Sequence, residues 1–153
     1  MTQKSLTAVY LRRGKEESLE RCHPWIFSGA IERITEGLKP LSEGDIVDVY
    51  TKQGNFIARG HYQIGSIAVR VLSFEEESID QAWWNRRIAA AKALRESLGM
   101  VDNAQTSCYR LIHGEGDLLP GFPLAARSKP GLPLAIRYRR AAAITPPSNW
   151  AMM

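Results

Sequence analysis

The chain is expected to be mainly β with some α. Three observations predict this: apolar runs of five or six residues recur about every ten residues over Thr7–Leu72, one helical period occupies the following stretch, and no period survives beyond Phe122. The 153 residues suit one domain, or a small domain with part of another. Hydrophobic residues make up 44% and charged residues 24%, ordinary values for a chain with a buried core.

The first β-prone run is Thr7–Leu11, closed by Arg12-Arg13-Gly14. Lys15 to Arg21 is polar and can form two helical turns. Pro24 then pushes His23 out of the helical region and opens the extended string His23-Pro24-Trp25-Ile26-Phe27-Ser28-Gly29. Gly44-Asp45 leads into the strand Ile46–Tyr50, and Lys52–Asn55 is a turn. Phe56–Tyr62 is the next strand, Gly65-Ser66 the next turn, and Ile67–Leu72 the last strand of the series. Strands so spaced predict a small barrel or sandwich.

Ser78 to Gly99 reads as one helix. Ser78 with Gln81 makes a capping box, and Asp80 falls in the first turn, where a negative charge suits the helix dipole. Trp84, Ile88, Ala91, Leu94 and Leu98 form one apolar stripe, which puts Trp84 inward and leaves Trp83 partly exposed. Gly99 can end the helix in the left-handed conformation. The residues from 122 to 153 hold seven Ala, five Pro and no acidic residue, a composition that predicts a disordered tail.

Charge and targeting patterns narrow the function. Lys+Arg number 20 and Asp+Glu 16, a net of +4. Five of the basic residues lie in the tail, so residues 1–121 carry 15 basic against 16 acidic, a net of −1. An anionic partner must therefore be argued from a local patch. No apolar run is long enough to span a membrane, and no secretory leader is expected from the opening residues. Cys22 and Cys108 form neither a disulfide framework nor a zinc pattern, so a reducing cytoplasm is expected.

The densest candidate patch gathers Arg12, Arg13, Lys15, Arg21 and His23 beside Trp25. Basic side chains neutralise phosphates and an aromatic ring stacks on an unpaired base, so these six residues are the candidate RNA contacts. Against this, Glu16, Glu17 and Glu20 share the segment and could pair with the cations, and Trp25 could be core. His113-Gly114-Glu115-Gly116-Asp117 could form a phosphate loop or hold a metal. Leu118-Leu119-Pro120-Gly121 follows in place of a helix start, so a tight turn between two strands is the better reading. Cys22-His23 does not make a nucleophile and base, and Arg59 with His61 reads as a surface pair. No catalytic, cofactor-binding or metal-ligating set is expected.

Several long strings carry a resemblance. His23–Ile31, Gly44–Val49, Gly60-His61-Tyr62 and Ile67–Leu72 resemble the N-terminal PUA domain of the S-adenosylmethionine-dependent cytosine-5 methyltransferases of bacterial large-subunit ribosomal RNA. Trp84–Ala91 is similar to the helix that follows in that family, and Tyr109–Gly121 to the entry of its central domain. The resemblance implies a PUA-like pseudobarrel over residues 1–73 that binds RNA, ribosomal RNA above all, and the start of a truncated central α+β domain over 74–121. It assigns 122–153 to an unrelated tail.

In that family S-adenosylmethionine and a nucleophilic cysteine belong to a later domain, and no position in this sequence matches them. The abrupt loss of similarity after Gly121 implies a truncated or frameshifted reading frame. The leading expectation is an RNA-binding portion without catalysis of its own. The alternatives are a complete methyltransferase and a small barrel that binds proteins. Strand partners for Tyr109–Ile112 are expected to be missing, which would promote self-association through an open edge.

Overall fold

In the computed structural model the described residues are 6–35, 37, 40–106, 108–121 and 123–127. The chain divides into two compact units, Met1–Glu77 and Ser78–Met153.

The first unit is one six-stranded sheet. Its strands are β1 (Thr7–Leu11), β2 (Trp25–Phe27), β3 (Ile31–Thr35), β4 (Ile46–Tyr50), β5 (Phe56–Tyr62) and β6 (Ile67–Ser73). They lie in the order β2-β6-β5-β4-β1-β3. All pairings are antiparallel except β1 with β4, which run parallel. One turn of helix, α1 (Glu17–Glu20), joins β1 to β2, and a 3-10 turn at Ser28–Ala30 joins β2 to β3.

That last connection fixes the curvature. β2 and β3 occupy opposite ends of the sheet, which would stand about 24 Å apart if it were flat. The four Cα steps from Phe27 to Ile31 reach at most about 15 Å. The sheet must therefore curl until its two edges nearly meet, as the notion of a pseudobarrel requires. The amide of Arg12 donates to the Ala30 carbonyl beside the β1–β3 pair, and the amides of Ser28 and Val71 donate to the Ser66 and Pro24 carbonyls at the β2–β6 pair, so the connection is anchored to both ladders.

Strand alternation fills the barrel. Val9, Leu11, Val47, Val49, Ala58, Val69 and Val71 point inward, closed by Leu19 of α1 and Ile26 of β2. Each such Val or Leu contributes about 1.5–3 kcal/mol by leaving water. β3 is different: four of its five residues are exposed, so it lacks the in–out alternation that would have marked it as a strand in the sequence.

Arg59 and His61 do not form a surface pair. Both are buried. Arg59 clamps its register partner Asp48, Nε to Oδ1 at 2.6 Å and Nη2 to Oδ2 at 3.0 Å, and also donates to the Glu77 carbonyl. His61 is buried because Nδ1 can donate to the Gly44 carbonyl at 2.9 Å, which ties β5 to the turn before β4.

The second unit contains α2 (Gln81–Ser97), β7 (Cys108–His113), a 3-10 turn at Glu115–Asp117 and β8 (Pro123–Arg127). The helix begins two residues later than a Ser78 cap would place it. Asp80 is the N-cap, its carboxylate accepting from the Trp83 amide at 2.9 Å. The C-terminus is a Schellman turn: Gly99 adopts φ +66°, and the amides of Gly99 and Met100 donate to the carbonyls of Glu96 and Arg95.

Trp83 and Trp84 are both buried and meet edge to face at 5.1 Å, which widens the predicted stripe by one residue. At the other end of the stripe Leu94 and Leu98 are exposed, and Arg95 is the buried residue of the last turn.

The turn at residues 113–117 does lie between two strands, β7 and β8. The second of these corrects the disordered-tail expectation for residues 123–127. Composition argues against a core of their own, yet here they only need to complete a hairpin. β8 pairs antiparallel with β7, from His113 with Pro123 to Cys108 with Arg127. It therefore supplies one strand partner that Tyr109–Ile112 was expected to lack, and nothing in the structure supports the expected self-association. Residues 128–153 of the predicted tail lie outside the described residues. No helix among the described residues is long and apolar enough to cross a membrane.

Candidate nucleic-acid interface

The candidate block surrounds a concave cleft of about 320 Å³ in the first unit. Lys15, Ser18 and Leu19 form one wall, and Trp25, Ile26, Phe27, Gly29 and Ala30 form the other. The geometry follows from the local sequence. Arg12-Arg13-Gly14 turns the chain off β1, α1 makes one turn, and Pro24 sends it back as β2. Lys15 and Trp25, ten positions apart, thus face one opening.

Of the six predicted contacts, the structure brings Lys15 and Trp25 into the cleft. His23 stands beside them, its ring edge-on to Trp25 at 5.7 Å, with Nδ1 accepting from the Trp25 amide at 3.2 Å. Arg12, Arg13 and Arg21 are exposed but do not line the cleft. Arg12 Nε donates to the Ile31 carbonyl at 3.1 Å, which sets its guanidinium against β3.

The acidic residues of α1 form no ion pair with this patch. Arg12, Arg13, Lys15 and Arg21 form no ion pair with another described residue. Trp25 is half-buried, and its indole Nε1–H is buried without a hydrogen-bond partner among the described residues. Buried donors are nearly always paired, so an orphan donor on a cleft marks a place for a ligand acceptor.

Two participants escaped sequence reasoning. Arg70 of β6 is the register partner of Trp25, and its guanidinium stands 5.7 Å from the indole ring. Only the β2–β6 pairing, across more than forty residues, brings them together. Phe27 is half exposed (49%) on the lip of the cleft, and its place in an apolar string gave no hint of that.

The other sequence candidates resolve as structure. Asp117 lies in a bidentate ion pair with Arg95 of α2, both bonds 2.7 Å, with side chains 7% and 9% exposed. It also accepts from the His113 amide at 2.6 Å. Burial pushes the Asp117 carboxyl up, but the Arg95 guanidinium and the His113 amide outweigh it and hold the group below its ordinary value. Its oxygens are thus committed to the fold. No cluster of His, Cys, Asp or Glu among the described residues could hold a metal ion. Cys22 is exposed, and no hydrogen bond joins its thiol to His23.

Comparison with known proteins fits the curled sheet and its cleft. The model of the PUA-like domain matches residues 9–74. The curled sheet of this stretch has the PUA-like fold. Over 120 residues the chain is 45% identical to the ribosomal RNA large subunit methyltransferase I of Photobacterium profundum, covering 77% of this chain and 29% of that protein. The methyltransferase of the same name from Escherichia coli O139:H28 is 44% identical over 118 residues, 76% of this chain and 28% of its own length. The chain thus spans less than a third of the curated relatives it matches.

A solved structure of a proposed SAM-dependent methyltransferase from Streptococcus mutans superposes with TM-score 0.62 at 15% identity. It covers 77% of this chain and 30% of its own. A second, a proposed methyltransferase complexed with SAH, gives the same score and identity over 77% and 29%. At that identity the likeness shows the fold alone.

Proposed function

We propose that this chain is the RNA-holding N-terminal portion of a SAM-dependent ribosomal-RNA methyltransferase, with no methyl transfer of its own. One observation carries the reading: at the cleft of a PUA-like domain, an ion-pair-free Lys15 meets Trp25 with a buried, unpaired indole N–H. The lysine supplies a phosphate contact, the indole a donor to a base or ribose oxygen, and Arg12, Arg13 and Arg21 raise the local potential. The 45% identity to large-subunit methyltransferases supports ribosomal RNA as the partner.

S-adenosylmethionine as methyl donor, and C5 of a cytosine as the acceptor that the motif resemblance implies, belong to this proposal for the whole protein. The residues described above supply binding and orientation of RNA, not the transfer step.

Filter binding of the full chain to ribosomal-RNA fragments over a salt series tests the reading. The affinity should fall with log–log slope of about −0.7 per phosphate contact on single strands. Lys15→Ala should weaken binding to every RNA and flatten the slope by about that amount. Trp25→Phe, which keeps a ring and removes the donor, should weaken binding without changing the slope. Absent or salt-independent binding rejects the reading. Transfer of label from S-adenosylmethionine to ribosomal RNA by the purified chain rejects the non-catalytic part.

A further inference from the structure

The outer face of the barrel carries a second feature that the cleft does not use. Val9, Leu11, Val47 and Val49 point inward, so Tyr10 and Tyr50 between and beyond them point outward. These two are register partners on the parallel pair β1–β4, and their rings stack with centroids 5.5 Å apart. Phe56, the partner of Tyr50 on β5, meets it edge-on at 5.9 Å. On the other side, Arg33 of β3 is the register partner of Tyr10 and lays its guanidinium 3.8 Å from the Tyr10 ring centroid. The row Arg33–Tyr10–Tyr50–Phe56 thus crosses four adjacent strands.

One end of the row is Phe56 on β5. Arg33 stands at the opposite end, on an edge strand with no strand hydrogen-bonded beyond it among the described residues. It is exposed, and its guanidinium forms no ion pair or hydrogen bond with another described residue. Arg12 reaches the same strand at Ile31, two residues or about 7 Å along β3, and adds a second cation.

We propose that Arg33, held flat against Tyr10, is a stacking contact for an unpaired base of single-stranded RNA, with Arg12 taking the adjacent phosphate. The proposal rests on the RNA-binding reading above and extends the contact surface from the cleft to the β3 edge. Tyr10 covers one face of the guanidinium and fixes its plane, and a base completes the sandwich on the other. Bases stack on guanidinium planes irrespective of sequence, so this contact selects unpaired strands over duplex. A lysine ammonium keeps the charge and offers no plane.

The test uses the full chain, an unstructured oligoribonucleotide carrying 2-aminopurine, and a perfect RNA duplex of the same length. Arg33→Lys should weaken single-strand binding about tenfold, abolish part of the 2-aminopurine quenching and leave duplex affinity unchanged. Tyr10→Leu, which removes the ring that flattens the guanidinium, should act in the same direction. Unchanged single-strand affinity in Arg33→Lys, or equal losses on single strand and duplex, overturns the stacking contact alone. Failure of the unaltered chain to bind either RNA overturns the RNA-binding reading and this contact with it.

Discussion

At the scale of single residues, burial separates the groups that hold the fold from those that face a ligand. Arg95 and Asp117 are the strongest case of the first kind. Replacing Arg95 by Ala leaves the Asp117 carboxylate buried without its cation, and urea unfolding should show a loss of about 3–5 kcal/mol. Asp117 sits below its ordinary pKa, so the stability it lends is present above the unfolded value near 4 and fades as the pH falls through that range.

His61 acts in another window. Burial lowers its pKa, against the opposing bond to the Gly44 carbonyl, so the folded chain holds it neutral while the unfolded chain binds a proton below about 6.5. Stability should therefore decline as the pH drops beneath 6.5. His61→Asn, which can still donate to Gly44, should remove that part of the decline in urea midpoints measured between pH 7 and 5. If the variant declines as steeply as the parent, another group is responsible.

Gly60 makes a simpler demand. A Cβ there would sit 2.3 Å from the Arg70 carbonyl oxygen, within the barrel's own backbone. Gly60→Ala should cost at least about 2 kcal/mol in thermal or urea unfolding.

Elements show where sequence patterns are legible. Ile46–Tyr50, Phe56–Tyr62 and Ile67–Leu72 announce themselves because residues facing the core are apolar and turn residues bound each run. β3 does not, since an edge strand with Glu32, Arg33 and Thr35 exposed carries no hydrophobic period. β8 was hidden by the composition of the stretch around it, although a hairpin partner needs only a few residues of extended backbone.

The candidate interface was half legible. The basic cluster and Trp25 stand close in sequence, whereas Arg70 joins Trp25 through register between distant strands. Helix ends read well at Gly99, where the Schellman turn needs a positive φ, and less well at the start. Two capping residues, Ser78 and Asp80, compete there, and the carboxylate wins. Asp80→Ala should cost about 1 kcal/mol, measurable by urea unfolding, whereas Ser78→Ala should have little effect.

On the scale of the whole molecule, the two compact units have separate supports. One is held by the barrel core and the Arg59–Asp48 clamp, the other by the Arg95–Asp117 clamp and the tryptophan pair. Hydrogen exchange should reveal this division. In the Arg95→Ala variant, amides of residues 81–127 should exchange faster while those of β4, β5 and β6 keep their protection. Uniform acceleration across both units would show one cooperative block instead. The same division fits a chain whose first unit matches a PUA-like domain and which spans under a third of its curated relatives.

The seam between β2 and β3 has a further effect, on synthesis. β2 finds its ladder partner only in β6, which begins forty residues after β2 ends. At about 5–20 residues per second, a nascent chain carries Trp25, Ile26 and Phe27 for about 2–8 seconds before their partner exists. For that interval the segment is open to chaperones and to mispairing, and a translational pause between codons 30 and 67 would lengthen it.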